Sequence, residues 1–135
     1  MALIDDIKKH EGFSPVVYQC TAGYDTIGYG QRVKYLKVTQ EQAEEWLLEE
    51  LQNLRYILAD KYDWFLPAPT EVQDIVMNMN YQLGVTSFSK FKKTIYLLAN
   101  KDYRAASVEM LDSKWARDDT PRRAKELSDR LKNVE

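Results

Sequence analysis

A chain of 135 residues fits one compact domain, because a single core usually serves about 100 to 200 residues. Hydrophobic residues at 44% and charged residues at 30% make an ordinary globular balance and exclude a disordered polymer. A formal net charge of −2 produces no field that would gather nucleic acid or anionic lipid, so neither is expected as a partner.

Nor is stable membrane insertion expected. No stretch approaches the roughly 20 apolar residues of a bilayer span, and Met1-Ala2-Leu3-Ile4-Asp5-Asp6 lacks the basic start and apolar run of a secretory signal. The one cysteine, Cys20, has no internal partner for a disulfide and suits synthesis in a reducing cytoplasm.

In chain order, Leu3, Ile4 and Ile7 share one face of a first helix that Gly12 should end, which puts Glu11 at the helix exit. Val16, Val17 and Tyr18 favour a strand, Thr21-Ala22-Gly23 a turn, and Thr26-Ile27-Gly28-Tyr29-Gly30 a second strand, so a hairpin or three-stranded meander follows. Thr39 with Gln42 reads as a capping box for a long amphipathic helix carrying Ala43, Trp46, Leu47, Leu51, Leu54 and Leu58.

Beyond a proline-containing turn at residues 67 to 69, Thr70 and Gln73 repeat that cap. Val72, Ile75, Val76, Met79 and Leu83 then mark a central core helix closed by Gly84. Shorter helices are expected over 91–99 and 103–111, and Thr120-Pro121 should cap a last helix carrying Ala124, Leu127 and Leu131.

The expected fold class is α+β and mostly helical. A small β-containing lobe spans about 13–38, and a helix over about 40–59 links it to a helical lobe of about 60–135 that includes the N-terminal helix. A cleft between hairpin and helical lobe is the natural place for a site.

Residues 11 to 30 read Glu-Gly-Phe-Ser-Pro-Val-Val-Tyr-Gln-Cys-Thr-Ala-Gly-Tyr-Asp-Thr-Ile-Gly-Tyr-Gly. This stretch resembles the phage lysozyme family, glycoside hydrolase family 24, whose motif is a Glu, eight residues, an Asp or Cys, five residues and a Thr. Glu11, Cys20 and Thr26 occupy all three positions. Asn78-Met79-Asn80-Tyr81-Gln82-Leu83-Gly84 and Thr120-Pro121-Arg122-Arg123-Ala124-Lys125 are similar to two segments of the C-terminal lobe of the family's T-even members. The resemblance covers nearly the whole chain and implies a lysozyme-like fold.

It also implies cleavage of the β-1,4 bond between N-acetylmuramic acid and N-acetylglucosamine in peptidoglycan. Such cleavage needs a proton for the leaving oxygen, and Glu11 is the candidate acid. To act near neutral pH it must keep its proton part of the time, through partial burial or local charge. Outside the motif, a glutamate at a helix exit would be a solvated surface charge.

Cys20 departs from the aspartate form of the motif, and an ordinary thiol supplies less negative charge near pH 7 than a carboxylate. It either holds a water for an inverting attack or acts, as a partial thiolate, as base or nucleophile; its plain reading is a small buried hydrophobe. Thr26 offers a hydroxyl that both donates and accepts, suited to fixing an attacking water, although strand propensity also explains it. Asp25 should point to the opposite face from Thr26 and cannot replace the missing aspartate.

By the same resemblance Tyr81, Gln82 and Thr94 match substrate-contacting positions, with a helix-end aromatic and a satisfied amide as plain readings of the first two. Glu109 stands at another such position but differs from the family's amide. Arg123 matches an arginine that pairs with the catalytic glutamate; otherwise it is a helix-surface charge. Gln31 stands where T-even members carry a histidine in an ion pair, which cannot form here.

Lone His10, with no paired His/Cys spacing and no Gly-rich phosphate loop, gives no metal and no cofactor to expect. The tightest basic cluster, Lys90, Lys92 and Lys93, reads as a solvated helix end. The leading expectation is an endolysin, a monomer acting on peptidoglycan glycan strands. It would wait in the host cytoplasm until a membrane-permeabilising holin releases it to the cell wall. The runner-up is a non-catalytic saccharide- or protein-binding module on a lysozyme fold, in which Cys20 has replaced a working carboxylate.

Overall fold

In the computed structural model, which describes residues 2–135, the first helix is Ala2–Glu11 (α1), and the N–H of Gly12 closes its last turn on the carbonyl of Lys8 at 2.9 Å. Three antiparallel strands follow in the order β1-β2-β3: Ser14–Gln19 (β1), Asp25–Gly28 (β2) and Gln31–Arg32 (β3). Tyr18 stands opposite Thr26 and Gln19 opposite Asp25, with a bulge between Ser14 and Tyr18; Thr26 also stands opposite Arg32.

The second strand is shorter than the β-branched run suggested. It stops at Gly28, because Gly28 and Gly30 take φ +72° and +78° and turn the chain into β3 at Gln31.

A 22-residue helix, Gln40–Lys61 (α2), begins where Thr39 Oγ1 accepts the N–H of Gln42 at 3.1 Å, the expected cap. It is followed by Thr70–Leu83 (α3), Val85–Phe88 (α4), Lys92–Ala99 (α5), Tyr103–Glu109 (α6) and Pro121–Lys132 (α7). α3 ends as expected at Gly84, which takes φ +86° and donates its N–H to the Asn80 carbonyl at 2.8 Å. The short α4 and a π-helical turn at Trp115–Asp119 were not foreseen, since single turns carry too little periodicity to register.

Two of the expected caps are corrected. Neither Thr70 nor Thr120 caps a helix with its hydroxyl. At α3 the cap position is Pro69, and Gln73 instead donates to the carbonyls of Leu66 and Ala68, at 2.9 Å each, while accepting from Arg55. At α7 the Thr120 hydroxyl accepts from Gln82 Nε2 at 3.0 Å.

The chain divides into two compact units, Met1–Glu44 and Glu45–Glu135. The first carries α1 and the sheet. The second holds a core in which Leu58, Phe65, Val72, Ile75, Phe88 and Met110 are at most 1% exposed. Ala124, Leu127 and Leu131 bring one face of α7 into that core, as the periodicity predicted. Each such side chain contributes roughly 1.5 to 3 kcal/mol, so α3 and α7 are anchored by their apolar stripes more than by caps. The α+β, mostly helical reading holds.

Candidate active site

Glu11 is the last residue of α1, and its exposed side chain reaches back over the turn between β2 and β3. A Cβ built on Gly30 would stand 2.6 Å from Glu11 Oε2 and 2.9 Å from its carboxyl carbon. A side chain there would push the carboxylate aside and would strain a backbone at φ +78°, so the glycine leaves the carboxylate its present place. Sequence reasoning placed Gly30 in a strand and missed this contact; the alternating glycines of the Gly28-Tyr29-Gly30 run were the available signal.

Cys20 and Thr26 come together at the far end of the β1–β2 hairpin. A tight turn closes there through the N–H of Gly23 on the carbonyl of Cys20 at 2.8 Å and the N–H of Cys20 on the carbonyl of Tyr24 at 3.0 Å. The Thr26 hydroxyl donates to that same Tyr24 carbonyl at 2.9 Å, and Thr26 is only 2% exposed. Asp25 is exposed, so alternation along β2 separates it from Thr26 as expected.

Cys20 is half-buried, and its thiol is held below the usual range. The N–H of Tyr24 contributes most, by stabilising the thiolate, followed by the N–H of Ala22. Partial burial opposes them, and the Thr26 hydroxyl and Arg32 guanidinium add smaller favourable contributions. Arg32 is itself fixed, its guanidinium lying over the Tyr24 ring at 4.0 Å from the centroid. Tyr24 and Arg32 went unremarked in the sequence because neither belongs to the motif; only their strand positions bring them to Cys20.

Glu11, Cys20 and Thr26 are thus mounted on one helix, one hairpin turn and one strand within the same compact unit. A carboxylic acid can deliver a proton, and a thiol biased toward thiolate can accept one from water.

The other expected positions lie in the second unit. Arg123 donates through Nε and a terminal nitrogen to Asn78 Oδ1 at 2.9 and 2.7 Å, and again to the Asn78 carbonyl at 3.3 Å. Both ends of the Gln82 amide are engaged: it donates to Thr120 and accepts from Trp115 Nε1 at 2.9 Å. Tyr81 is half exposed, and Thr94 is buried at the edge of a cavity of about 410 Å³. Among the described residues no group of His, Cys, Asp and Glu is arranged to hold a metal ion.

Compared with known proteins, residues 8–133 match the family described as phage lysozyme. The chain is also 31% identical over 114 residues to an endolysin of Acyrthosiphon pisum secondary endosymbiont phage 1, an alignment covering 82% of this chain and 75% of that relative.

Proposed function

The chain belongs to the phage lysozyme family, and from that premise we propose that it is an endolysin of glycoside hydrolase family 24 that hydrolyses the β-1,4 bond between N-acetylmuramic acid and N-acetylglucosamine, with Glu11 as general acid. The observation that carries this reading is the seating of the Glu11 carboxylate against Gly30, in a turn of the same small sheet whose β1–β2 turn holds Cys20 beside Thr26.

In this mechanism Glu11 gives its proton to the glycosidic oxygen as the bond to the anomeric carbon breaks and positive charge grows on the sugar ring. A water attacks the anomeric carbon from the opposite side. Its proton passes to the Cys20 thiolate, which the surrounding N–H donors favour. The products are one reducing sugar end of inverted configuration, a free hydroxyl on the departing sugar, and a thiol and a carboxylate that exchange protons with solvent. Thr26 supports this step by holding the Cys20 turn through Tyr24.

In the second unit, Tyr81 offers a flat surface for a sugar ring and Thr94 a hydroxyl at a cavity edge. Gln82 serves from behind by tying Thr120 to Trp115, and Asn78 holds Arg123 in a fixed pose. The name of the relative supports peptidoglycan as substrate. The proposal includes a monomer that accumulates in the host cytoplasm and reaches the wall once a holin opens the membrane. No helix among the described residues is long and apolar enough to cross a membrane.

A turbidity assay on outer-membrane-permeabilised bacteria tests this reading. Wild type should clear the suspension, Glu11→Gln should not, and the released reducing ends should show inverted configuration. Equal clearing by both proteins removes Glu11 from the mechanism. Wall binding without clearing by either would instead make the chain a binding module.

A further inference from the structure

Arg32 stands opposite Thr26 across the β2–β3 pair, and Tyr24 lies two residues before Thr26. That register makes Tyr24 and Arg32 diagonal neighbours on one face of the sheet, within reach of each other for an aromatic and a long side chain. They use the reach: the guanidinium lies 4.0 Å from the Tyr24 ring centroid, against 5.3 to 5.8 Å in the other cation–ring contacts among the described residues.

Little else holds this end of the hairpin. Residues 21–25 are all exposed, so burial does not anchor the turn. No other ring packs on Tyr24 among the described residues, and Arg32 forms no ion pair there that would draw its guanidinium elsewhere.

What the turn carries is the setting of Cys20. The Tyr24 carbonyl accepts the N–H of Cys20 at 3.0 Å and the Thr26 hydroxyl at 2.9 Å, while the Tyr24 N–H faces the thiol. A thiol is a weaker acceptor than the aspartate that the motif also allows, so its pairing with these donors depends on the turn keeping its shape.

Resting on the hydrolytic reading above, we propose that Arg32 is a positioning residue for the reaction: its guanidinium acts through the Tyr24 ring to hold the 20–24 turn, and with it the sulfur that receives the proton of the attacking water. The charge of Arg32 also favours the thiolate, but it is the smallest of the contributions there. Its larger service is mechanical.

The test follows the turn and the reaction separately. Amide hydrogen exchange at Cys20 and Gly23, whose N–H groups close the turn, reports its opening; release of reducing ends from soluble glycan strands gives kcat and KM. Removing an exposed cation–ring contact shifts the ratio of held to released turn by about twofold to fivefold. Arg32→Gln should therefore speed exchange at Cys20 and Gly23 and lower kcat, each by about twofold to fivefold, with KM and exchange at Gly12 unchanged. Arg32→Lys keeps a cation for the ring and should recover part of both losses, and Tyr24→Phe should match wild type. Tyr24→Leu should resemble Arg32→Gln, and combining the two should change nothing further. Thermal unfolding confirms that each variant is folded.

A guanidinium acting by charge alone would still matter once the ring is gone, so an added loss in the Tyr24→Leu background overturns the proposal. A raised KM with kcat intact overturns it as well. Hydrolysis by wild type with exchange unmoved in Arg32→Gln sinks this inference alone. Wild type that releases no reducing ends sinks the hydrolytic reading instead, and exchange then decides by itself whether Arg32 holds the turn.

Discussion

The carboxylate of Glu11 and the bare α-carbon of Gly30 occupy neighbouring space: a methyl group at residue 30 would stand 2.6 Å from Oε2. Gly30→Ala should therefore displace the proposed acid while also straining a backbone at φ +78°. The left-handed conformation alone costs about 1 to 2 kcal/mol, and a displaced acid costs up to about a hundredfold in rate. Denaturant unfolding and wall clearing read the two losses separately. Full clearing by a folded Gly30→Ala protein would show that the carboxylate need not sit there.

Because Cys20 is the only cysteine in the sequence, alkylation by iodoacetamide reports on it alone. Its midpoint pH in the native protein should lie below that of the urea-unfolded chain. The sign for stability follows from linkage. A thiol whose folded pKa is depressed stabilises the native state fully above the unfolded value near about 8.5, and loses that contribution as pH falls through the folded value. Wild type should thus gain stability over Cys20→Ser as the medium becomes alkaline. Arg32→Gln should raise the native midpoint only slightly, since backbone N–H groups outweigh the guanidinium.

Arg123 and Asn78 join α7 to α3 across 45 residues of sequence through contacts as short as 2.7 Å. Hydrogen bonds to a partly buried charge contribute about 1.5 to 3 kcal/mol. Asn78→Ala and Arg123→Ala should each destabilise by about that much, and the double variant by far less than the sum. A denaturant double-mutant cycle measures the coupling; additive losses would show the pair to be independent.

Gln82→Leu should cost about 1 to 3 kcal/mol, because it leaves the indole N–H of Trp115, a residue only 2% exposed, without its acceptor. Gln82→Glu keeps the acceptor and should recover part of the loss. Thermal unfolding of the two variants decides the point.

What the sequence disclosed was local. Apolar residues at helical spacing marked α3 and α7 because burial on one face leaves a 3.6-residue rhythm, and Gly12 and Gly84 marked helix ends because few other residues turn the chain there. Thr70 and Thr120 misled because capping is a competition. Gln73 was engaged by Arg55 and two carbonyls, and the Thr120 hydroxyl by Gln82, partners 18 and 38 residues distant in the chain. The same non-locality hid the Asn78 partner of Arg123. At the candidate site the motif named three side chains but not their supports: Gly30 acts by lacking a side chain, and Tyr24 acts on Cys20 and Thr26 directly through backbone atoms that any residue possesses.

The π-helical turn at Trp115–Asp119 sets the phase of everything after it, because the N–H of Thr120 reaches the carbonyl of Trp115, one residue beyond an α-helical partner. Deleting a single residue from this turn would rotate the following segment by about 100°, swinging Ala124, Leu127 and Leu131 away from the interior they fill. An exposed substitution there should be tolerated where a one-residue shortening is not. The segment's length is therefore under tighter constraint than its composition.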